Sequence, residues 1–380
     1  MPTLANNLSC TGCAACMNSC AKKAISMEPQ GVLGHLYPKI NTDRCVECGL
    51  CEKNCPVFKG VQLQESPFVY AGWAKDANEN KKSSSGGAAS ILSKVILENG
   101  GVVYGCANIG MDVKHVRIDN VEDIDLLRGS KYVQSTINYI LQDVRKDLLV
   151  GKQVLFVGTP CQCAGLKTFL HKDYDNLLLV DLICHGTPSL KLLQDHVSTI
   201  VSPDQIVKHI YFRDGSNFQM VIKNADEKEI YQSNLWKNRY HDAYYNTFIL
   251  GYTYRPSCNS CRYAQSKRCA DITIGDFWGL GDKTPFEPIA PAFGYSAILP
   301  NTKKGLDALK LIENRFYLQQ RELKEAVEGN PQLHEPKKLS FNARVFQWCF
   351  SHGISLKKSL YIADWYKIPV YKIVNKLRNR

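Results

Sequence analysis

Apolar and polar residues in the middle of this chain follow two periods, one typical of buried strands and one typical of helices. Continuous apolar runs of strand length occupy residues 102–104, 153–157 and 176–183. Apolar residues at helical spacing occupy 83–99, 136–149 and 161–171, and a further helix is predicted from Ser189. Because strands that alternate with helices assemble into parallel sheets, this stretch predicts an α/β domain with a largely parallel sheet.

The pattern becomes more varied after residue 200. Three short stretches, 206–212, 218–223 and 228–231, predict a small antiparallel insertion. Residues 271–279 and 295–300 are strand-like, whereas 240–250 and 304–316 have helical spacing. Ligands of such sheets gather at the carboxyl ends of the strands, which is where residues 158–161 and 184–186 are expected.

Eight of the sixteen cysteines lie in the first 55 residues, in two runs of equal spacing. The spacing is C-x2-C-x2-C-x3-C, and the runs are Cys10, Cys13, Cys16 and Cys20, then Cys45, Cys48, Cys51 and Cys55. Three thiolates at these intervals hold three corners of an iron–sulfur cube, and the fourth reaches the neighbouring cube. The runs therefore predict two 4Fe–4S clusters with crossed ligands, in which Cys55 joins the first three cysteines and Cys20 joins the second three.

This spacing resembles that of bacterial two-cluster ferredoxins over about residues 1–60, which implies an α+β ferredoxin domain. Structural zinc and disulfides are the alternatives. Zinc sites usually pair two CxxC units across a longer gap, and disulfides need an oxidising compartment, for which no signal peptide is recognised. Ala21 stands where the ferredoxin pattern has proline, and the long spacer 21–44 predicts an extra hairpin around 31–37.

Length and composition predict an ordinary globular protein of several domains. The chain has 380 residues, 44% of them hydrophobic and 22% charged, and no apolar run reaches the ~20 residues that span a membrane. The predicted parts are the ferredoxin domain over 1–60, a linker over 61–81, the α/β domain over 82–335 and a basic, aromatic-rich helical tail over 336–380. Clusters and free thiols predict a cytoplasmic location.

The net charge of +11 is concentrated near the C-terminus. Residues 341–380 carry eight basic residues against one acid, Asp364, and are rich in tryptophan and tyrosine. The favoured interpretation is a helix that packs its aromatic side on the main domain and keeps its lysines in water, because Pro369 interrupts the pattern. Peripheral binding to an anionic membrane or an acidic partner is the less favoured alternative. Nucleic-acid binding is not expected, since no reader motif accompanies the charge.

Several motifs after the ferredoxin-like region resemble one known family, the beta subunits of coenzyme F420 hydrogenases and dehydrogenases. The motifs are Gly158-Thr159-Pro160-Cys161-Gln162, Cys184-His185-Gly186, Cys258-x-x-Cys261 and the run from Asp271 to Gly279. Residues 84–88 and 128–135 are similar to the same family. The resemblance covers about residues 66–300, and the common order of its motifs makes it specific.

Members of that family are iron–sulfur flavoproteins, so the resemblance implies FAD and a third 4Fe–4S cluster. The cluster ligands that it implies are Cys161, Cys184, Cys258 and Cys261. Independently, Cys161 is predicted at a helix N-terminus, where the dipole favours thiolate. A zinc site that uses Cys269, or plain buried thiols, are the alternatives. Cys163 is expected to point elsewhere, and Cys106 and Cys349 are expected in the core.

A flavin needs donors for its phosphates and groups that tune its ring. The candidate binding residues are Ser84, Ser85, Gly86, Gly87, Arg128, Ser130, Lys131, Gln134, Gly158 and Thr159. A helix cap without a ligand is the alternative for the serine–glycine segment, and no GxGxxG motif supports a standard dinucleotide fold. Candidate acid–base residues are Lys131, His185 and Asp276. His185 could instead bond to cluster sulfur, and Asp276 could be a turn aspartate.

These features predict an iron–sulfur flavoprotein oxidoreductase. Electrons would pass from the ferredoxin clusters through the third cluster to a flavin, for two-electron transfer to or from the deazaflavin coenzyme or another organic substrate. Expected partners are a small-molecule substrate and an electron donor, such as ferredoxin or a hydrogenase or dehydrogenase subunit. The alternatives are an electron-relay subunit with no substrate of its own and a zinc-stabilised protein without redox chemistry.

Overall fold

The two N-terminal cysteine runs surround a small α+β unit. In the computed structural model, which describes residues 1–214, 217–237 and 240–367, this unit contains strands β1 (Ile25–Gln30) and β2 (His35–Ile40), which pair antiparallel. Its short helices are α1 (Ala15–Ser19), α2 (Leu50–Lys53) and α3 (Pro56–Lys59). The extra hairpin predicted around 31–37 is therefore confirmed. Pro56 starts α3 directly after Cys55, a position that proline favours.

The rest of the chain is organised around an eight-stranded sheet. In chain order the further strands are β3 (Val69–Ala74), β4 (Val102–Ile109), β5 (Asp112–Ile118), β6 (Val154–Gly158), β7 (Leu177–Leu182), β8 (Val207–Asp214), β9 (Asn217–Asn224), β10 (Glu229–Asn234), β11 (Ile272–Asp276), β12 (Ser296–Pro300) and β13 (Phe316–Arg321). The large sheet has the order β13-β3-β12-β11-β7-β6-β4-β5, with parallel pairing from β11 to β4 and antiparallel pairing on both sides. Strands β8 to β10 form the small antiparallel sheet. The predicted fold class is confirmed.

Helices cover both faces of the large sheet. In chain order the helices after the N-terminal unit are α4 (Ala77–Lys81), α5 (Ala88–Glu98), α6 (Ile140–Leu149), α7 (Pro160–Leu170), α8 (Leu190–Ile200), α9 (Ala243–Leu250), α10 (Lys303–Lys310), α11 (Leu323–Gly329), α12 (Phe341–Ser351) and α13 (Leu356–Ala363). The last two pack with α9 and the small sheet. Within the described ranges, none of the helices has the length and apolar character of a membrane span.

The continuous apolar runs of the parallel strands divide between the two faces. Val103 and Leu155 pack with α5 and α10, whereas Tyr104 and Phe156 pack with α6 and α7 on the other side. This division follows from the two-residue period of a strand. The N-terminal unit joins the second face, because Ala15 and neighbouring apolar residues belong to the same buried cluster as α6 and α7. The N-terminal unit and the α/β domain thus share one core.

Three expectations about elements are corrected. The predicted linker 61–81 contains β3, which is almost fully buried and pairs with both β12 and β13. The predicted helix over 304–316 ends at Lys310, and the chain continues into strand β13. The helix predicted over 83–99 begins only at Ala88, after a glycine in left-handed conformation. Residues 368–380 of the predicted tail lie outside the described residues.

Candidate functional site

Four cysteines of the N-terminal unit meet at one small pocket. Cys10, Cys13, Cys16 and Cys55 all line it. Burial, together with the neighbouring thiols of Cys10 and Cys55, raises the pKa of Cys13 to about 12. The structure thus brings Cys55 of the second run to the first three cysteines of the first run. We call this group the inner N-terminal site.

The remaining four N-terminal cysteines include one that is exposed to solvent. Cys48 is exposed, Cys45 is half-buried, and Cys51 is buried close enough to Cys48 for the two thiols to interact electrostatically. Cys20 accepts a hydrogen bond from the backbone N–H of Ala24 (3.3 Å). These contacts leave the crossing of Cys20 to the second run as a prediction. We call this group the outer N-terminal site.

Four cysteines of the α/β domain line a separate cleft. They are Cys161, Cys184, Cys258 and Cys261. Burial and the nearby thiols of Cys258 and Cys261 raise the pKa of Cys184 to about 12, and burial and the Cys261 thiol raise the pKa of Cys258 to about 11. We call this group the third cysteine site.

Local sequence explains how each segment delivers its cysteine to the cleft. Cys161 lies in the first turn of α7, where Thr159 and Gln162 form a reciprocal capping box. Cys184 follows β7 at the carboxyl edge of the parallel strands, as the strand pattern predicts. Cys258 and Cys261 are carried by the 3-10 turn Pro256–Ser260 and the residue after it.

A zinc site that uses Cys269 is the alternative that the sequence leaves open for these thiols. In the part of the chain that the structure describes, no three cysteine, histidine or acidic side chains are placed to hold one metal ion. Zinc needs its sulfurs about 2.3 Å from one point, whereas the cysteines of a 4Fe–4S cluster each bind a different iron. The Cys269 thiol points away from the cleft, since it donates to the carbonyl of Pro160 (3.3 Å). It lies close enough to Cys163 to raise the pKa of that thiol.

The third cysteine site and the inner N-terminal site are neighbours. A Cβ atom placed on Gly165 of α7 would lie 2.9 Å from Cys13 Sγ, so the helix that carries Cys161 packs directly on the inner site. Tyr263 lines the cleft of the third cysteine site and belongs to the same buried cluster as Cys13 of the inner site. No other residue than glycine fits at position 165 without displacing Cys13.

Arg255 connects the two sites through hydrogen bonds. It is 1% exposed, and its guanidinium donates to the Cys10 carbonyl (2.9 Å), to Gln134 Oε1 (3.0 Å) and to the Leu36 carbonyl. Its own carbonyl accepts from the backbone N–H of Cys258 (2.9 Å). Arg255 therefore contacts a ligand candidate of each site. Sequence reasoning missed it, although it stands three residues before Cys258.

A second buried arginine adjoins the third cysteine site. Arg268 and Asp181 form an ion pair (3.1 Å) in which both side chains are almost fully buried. Arg268 also donates to the carbonyl of Leu182 (2.8 Å), and its charge lowers the pKa of Cys261, which burial raises. Sequence reasoning missed this pair too. The only sequence signal was an aspartate within the apolar run of β7.

Some of the predicted flavin residues come together at the start of α5. Ser84 Oγ accepts from the backbone N–H of Ser130 (2.9 Å), and the first N–H groups of α5 have no side-chain cap. Arg128 donates to Glu79 (2.6 Å) and to Asp125, while its Nη1 is buried without a partner among the described residues. Free helix N–H groups and an unpartnered guanidinium N–H are suitable donors for a phosphate.

Other predicted flavin residues have structural partners elsewhere. Gly86 packs against the sheet, where a Cβ atom would lie 1.9 Å from the Gly72 carbonyl oxygen. Gln134 Nε2 donates to the Thr11 carbonyl (2.9 Å) at the contact with the N-terminal unit. Gly158 and Thr159 lead into α7 beside the third cysteine site. Ser85 pairs with Ser296 through their hydroxyls (2.9 Å).

The three candidate acid–base residues have separate surroundings. Lys131 donates to the Leu127 carbonyl (2.8 Å), and burial lowers its pKa to about 8. His185 lines the cleft of the third cysteine site, where burial lowers its pKa to about 4. Asp276 pairs with Arg213 (2.6 Å), and burial raises its pKa while the arginine lowers it. The structure does not join them into one acid–base group among the residues it describes.

An aromatic wall adjoins the Asp276–Arg213 pair. Tyr132 and Phe218 stack with ring centroids 6.5 Å apart, and Phe218 contacts Trp278 at 5.9 Å. The Arg213 guanidinium lies 4.6 Å from the centre of the Phe218 ring. The charges of Asp276 and Arg213 also affect the pKa of Tyr132, which burial raises to about 12. The pair thus stands beside stacked rings at the carboxyl end of β11.

We predict that His115 makes the protein sensitive to mild acid. Burial lowers its pKa to about 4, against about 6.5 in an unfolded chain, and its ring contacts Ser135 Oγ (2.9 Å) and the Val157 carbonyl (3.0 Å). The unfolded state therefore binds the proton first, and stability that is complete above about pH 6.5 is lost progressively down to about pH 4.

The test compares the free energy of unfolding of the parent and His115→Gln between pH 7 and pH 5. The parent should lose up to about 1.4 kcal/mol more per pH unit than the variant below pH 6.5. Anaerobic denaturant titrations measure this difference. Equal pH dependence in the two proteins would contradict the assignment to His115.

Comparison with known proteins finds two domains of one family in this chain. The N-terminal domain of the coenzyme F420 hydrogenase/dehydrogenase beta subunit matches residues 69–142, and its C-terminal domain matches residues 151–326. A 4Fe–4S dicluster domain matches residues 9–59, which include all eight N-terminal cysteines.

Individual relatives agree with these matches. The F420-dependent formate dehydrogenase 1 subunit beta of Methanococcus maripaludis is 25% identical over 260 residues, which are 66% of this chain and 60% of that protein. The chain thus spans less than two thirds of this relative's length. An uncharacterized polyferredoxin-like protein of Methanocaldococcus jannaschii is 41% identical over 56 residues, 13% of this chain and 33% of that protein.

Among solved structures, a chain of the F420-reducing NiFe hydrogenase complex from Methanosarcina barkeri is 21% identical. It aligns with a TM-score of 0.47 and covers 71% of this chain and 91% of its own length.

The dicluster domain and the α/β domain together define an iron–sulfur electron-transfer protein. The chain belongs to the coenzyme F420 hydrogenase/dehydrogenase beta subunit family, whose N-terminal and C-terminal domains it carries in order after the dicluster domain.

Proposed function

We propose that this protein is an oxidoreductase that holds three 4Fe–4S clusters and FAD. The observation that carries the proposal is the third cysteine site, where four thiols from three separate segments meet beside the inner N-terminal site. A structural role for four buried thiols would not require them to converge on one cleft. Bound clusters supply one-electron transfer, and a bound flavin exchanges single electrons for electron pairs.

The residues of this chain would keep these groups close together and in a fixed order. Arg255, Tyr263 and Gly165 hold the inner N-terminal site against the third cysteine site. The outer N-terminal site, with its exposed Cys48, is the part of the series nearest to solvent. This arrangement favours entry of electrons from a partner at the outer site.

The start of α5 is the proposed phosphate site of the flavin. Ser84, Ser130 and the free Nη1 of Arg128 would bind the phosphates there. Tyr132, Phe218 and Trp278 offer apolar surface for a ring, and Asp276 with Arg213 offers charge at its edge. Tyr132 follows Lys131 in the chain, which connects the two halves of this proposed site.

The proposed two-electron partner is a small organic molecule. The Methanococcus maripaludis relative is named as F420-dependent, so the deazaflavin coenzyme is the first molecule to test. The same relative is a subunit of a larger enzyme by its name. This favours, as the second candidate function, an electron-relay subunit that has no substrate of its own.

Iron, sulfide and flavin content of anaerobically purified protein tests the proposal. About twelve irons and one flavin per chain are expected. About eight irons without flavin would contradict it and leave the relay function. Turnover with the deazaflavin coenzyme is the next measurement, and reduced ferredoxin or dithionite is the electron source.

We predict that Arg128→Gln weakens flavin binding by about tenfold or more, because a charge-assisted hydrogen bond to phosphate contributes about 1.5–3 kcal/mol. Arg315→Gln is the matched control, since Arg315 also pairs with a glutamate, Glu98 (2.6 Å), but is 40% exposed and remote from α5's first turn. Flavin titration of the deflavinated protein measures the effect. Equal affinity in both variants, with unchanged iron content, would contradict the phosphate site.

A further inference from the structure

The last two described helices expose a group of large aromatic and basic side chains. We define this aromatic–basic surface by Phe341, Arg344, Trp348, Lys357, Lys358, Tyr361, Ile362, Trp365 and Tyr366, all exposed. Phe341 is 77% exposed, Trp348 61% and Trp365 72%. Single exposed apolar residues are ordinary, whereas a group of this size within 26 residues indicates a binding surface.

Phe341, Trp348 and Trp365 are not part of the buried contacts of these helices. The inner faces of α12 and α13 are buried through Phe346, Cys349, Leu360 and Ala363. Phe341 and Trp348 lie seven residues apart on α12 and so face the same side, and Trp348 contacts the ring of His352 at 4.3 Å. The expectation that the aromatic side packs on the main domain is therefore wrong for both tryptophans.

The charge of this surface is entirely positive. Asp364 is the only acid between residues 341 and 380, and it is fully buried. Its carboxylate accepts hydrogen bonds from Tyr252 (2.7 Å), Tyr240 (3.1 Å) and Asn342 (2.8 Å). Because the one acid is used inside the fold, the exposed charges of residues 341–367 are basic. Residues 368–380 add four more basic residues and no acid to the sequence.

We propose that the aromatic–basic surface binds an anionic lipid bilayer. Tryptophan and tyrosine rings favour the interface between lipid headgroups and hydrocarbon. Lysine and arginine beside them are attracted to anionic headgroups, each contributing to the affinity. Lysine is depleted from protein–protein interfaces, whereas this surface carries the adjacent pair Lys357 and Lys358. Charge complementarity therefore favours the bilayer, and the proposal is independent of the cofactors proposed above.

Flotation of the full chain with lipid vesicles tests the proposal. Vesicles of phosphatidylcholine with about a third phosphatidylglycerol should carry the protein upward, whereas pure phosphatidylcholine should not. Raising the salt from about 0.1 M to about 1 M should release most of it, because the screening length falls from about 10 Å to about 3 Å. Absence of binding to the anionic vesicles at low salt would overturn the proposal.

Two pairs of substitutions locate the contact. Lys357→Glu with Lys358→Glu should weaken binding at least about tenfold, whereas Lys81→Glu with Lys82→Glu, another exposed adjacent pair, should leave it unchanged. Trp348→Ser with Trp365→Ser should also weaken it, whereas Phe293→Ser, which changes an aromatic residue that is 56% exposed elsewhere, should not.

Each pattern of results has a defined meaning. Loss of vesicle binding in both the lysine-pair variant and the tryptophan-pair variant supports binding to a bilayer. Loss with the lysine pair alone indicates a general polyanion site, such as one for nucleic acid or an acidic protein, and overturns the bilayer assignment. Vesicle binding that is unchanged in both variants means that lipid contacts another part of the protein, which overturns the proposal. Unchanged iron content and circular dichroism show in every case that the variants are folded.

Discussion

Cys258→Ser is expected to remove about four of about twelve irons per chain and to leave those of the dicluster domain. The physical reason is that Cys258 shares its cleft with Cys161, Cys184 and Cys261, where burial and the Cys261 thiol already raise its pKa to about 11. A bound cluster would make four thiolates stable there. Serine supplies a weaker ligand of the same size, so the fold is expected to survive.

The remaining cysteines are not placed to replace it. Cys269 donates to the Pro160 carbonyl and lies beside Asp181 instead of the cleft. Cys349→Ser is the matched control, because Cys349 is 2% exposed and lies in α12, away from all three sites. Iron and sulfide determination with electron paramagnetic resonance of the reduced protein measures the outcome. An unchanged iron content in Cys258→Ser would contradict the proposed third cluster.

Arg255→Met is expected to slow electron transfer between the dicluster domain and the third cysteine site. The substitution keeps the bulk of the side chain but leaves the Cys10 and Leu36 carbonyls and Gln134 without their donor. Each buried group that loses its partner costs about 1–3 kcal/mol. Gly12, with φ 69°, has no side chain where the guanidinium packs, so the contact is closely fitted.

The same substitution should lower the reduction potential at the third cysteine site. The Arg255 charge acts on Cys258, and reduction of a nearby cluster adds negative charge that this cation stabilises. Arg255→Lys keeps the charge but cannot make the same hydrogen bonds, so it should restore the potential and not the rate. A merely structural role would not separate these two readouts.

Arg315→Met is the control for this pair of variants. Arg315 is half-exposed and pairs with Glu98 (2.6 Å), and neither residue lines a cysteine site. Stopped-flow reduction and a potentiometric titration followed by electron paramagnetic resonance measure rate and potential. Unchanged values in Arg255→Met would remove Arg255 from the proposed path.

The parts of this protein that depend on short-range geometry could be predicted from the sequence. Cysteines three residues apart bring their sulfurs into one loop whatever surrounds them, and the dicluster domain was recognised on that ground. The strands β6 and β7 and the helix α7 follow from apolar runs and the glycine and proline between them. The extra hairpin of the N-terminal unit follows from spacer length.

Elements stabilised by distant partners were missed. Strand β3 is short, contains two alanines and a glycine, and is followed by a polar stretch, so nothing local separates it from a linker. It is a strand because β12 and β13, which lie more than 200 residues later, pair with its two edges. Helix α10 ends early for a similar reason, since Phe316 enters the sheet beside β3.

Residue type and spacing along the chain are enough to identify the residues that could bind iron, the family of the protein and the region where its charge is concentrated. The contact between the third cysteine site and the inner N-terminal site follows only from the folded chain, because Arg255 and Cys10 are 245 residues apart in the sequence. The folded chain also decides that Asp364 is buried while Trp348 and Trp365 face outward. Spacing along a chain fixes local geometry, whereas burial and contact between distant segments depend on how whole surfaces pack.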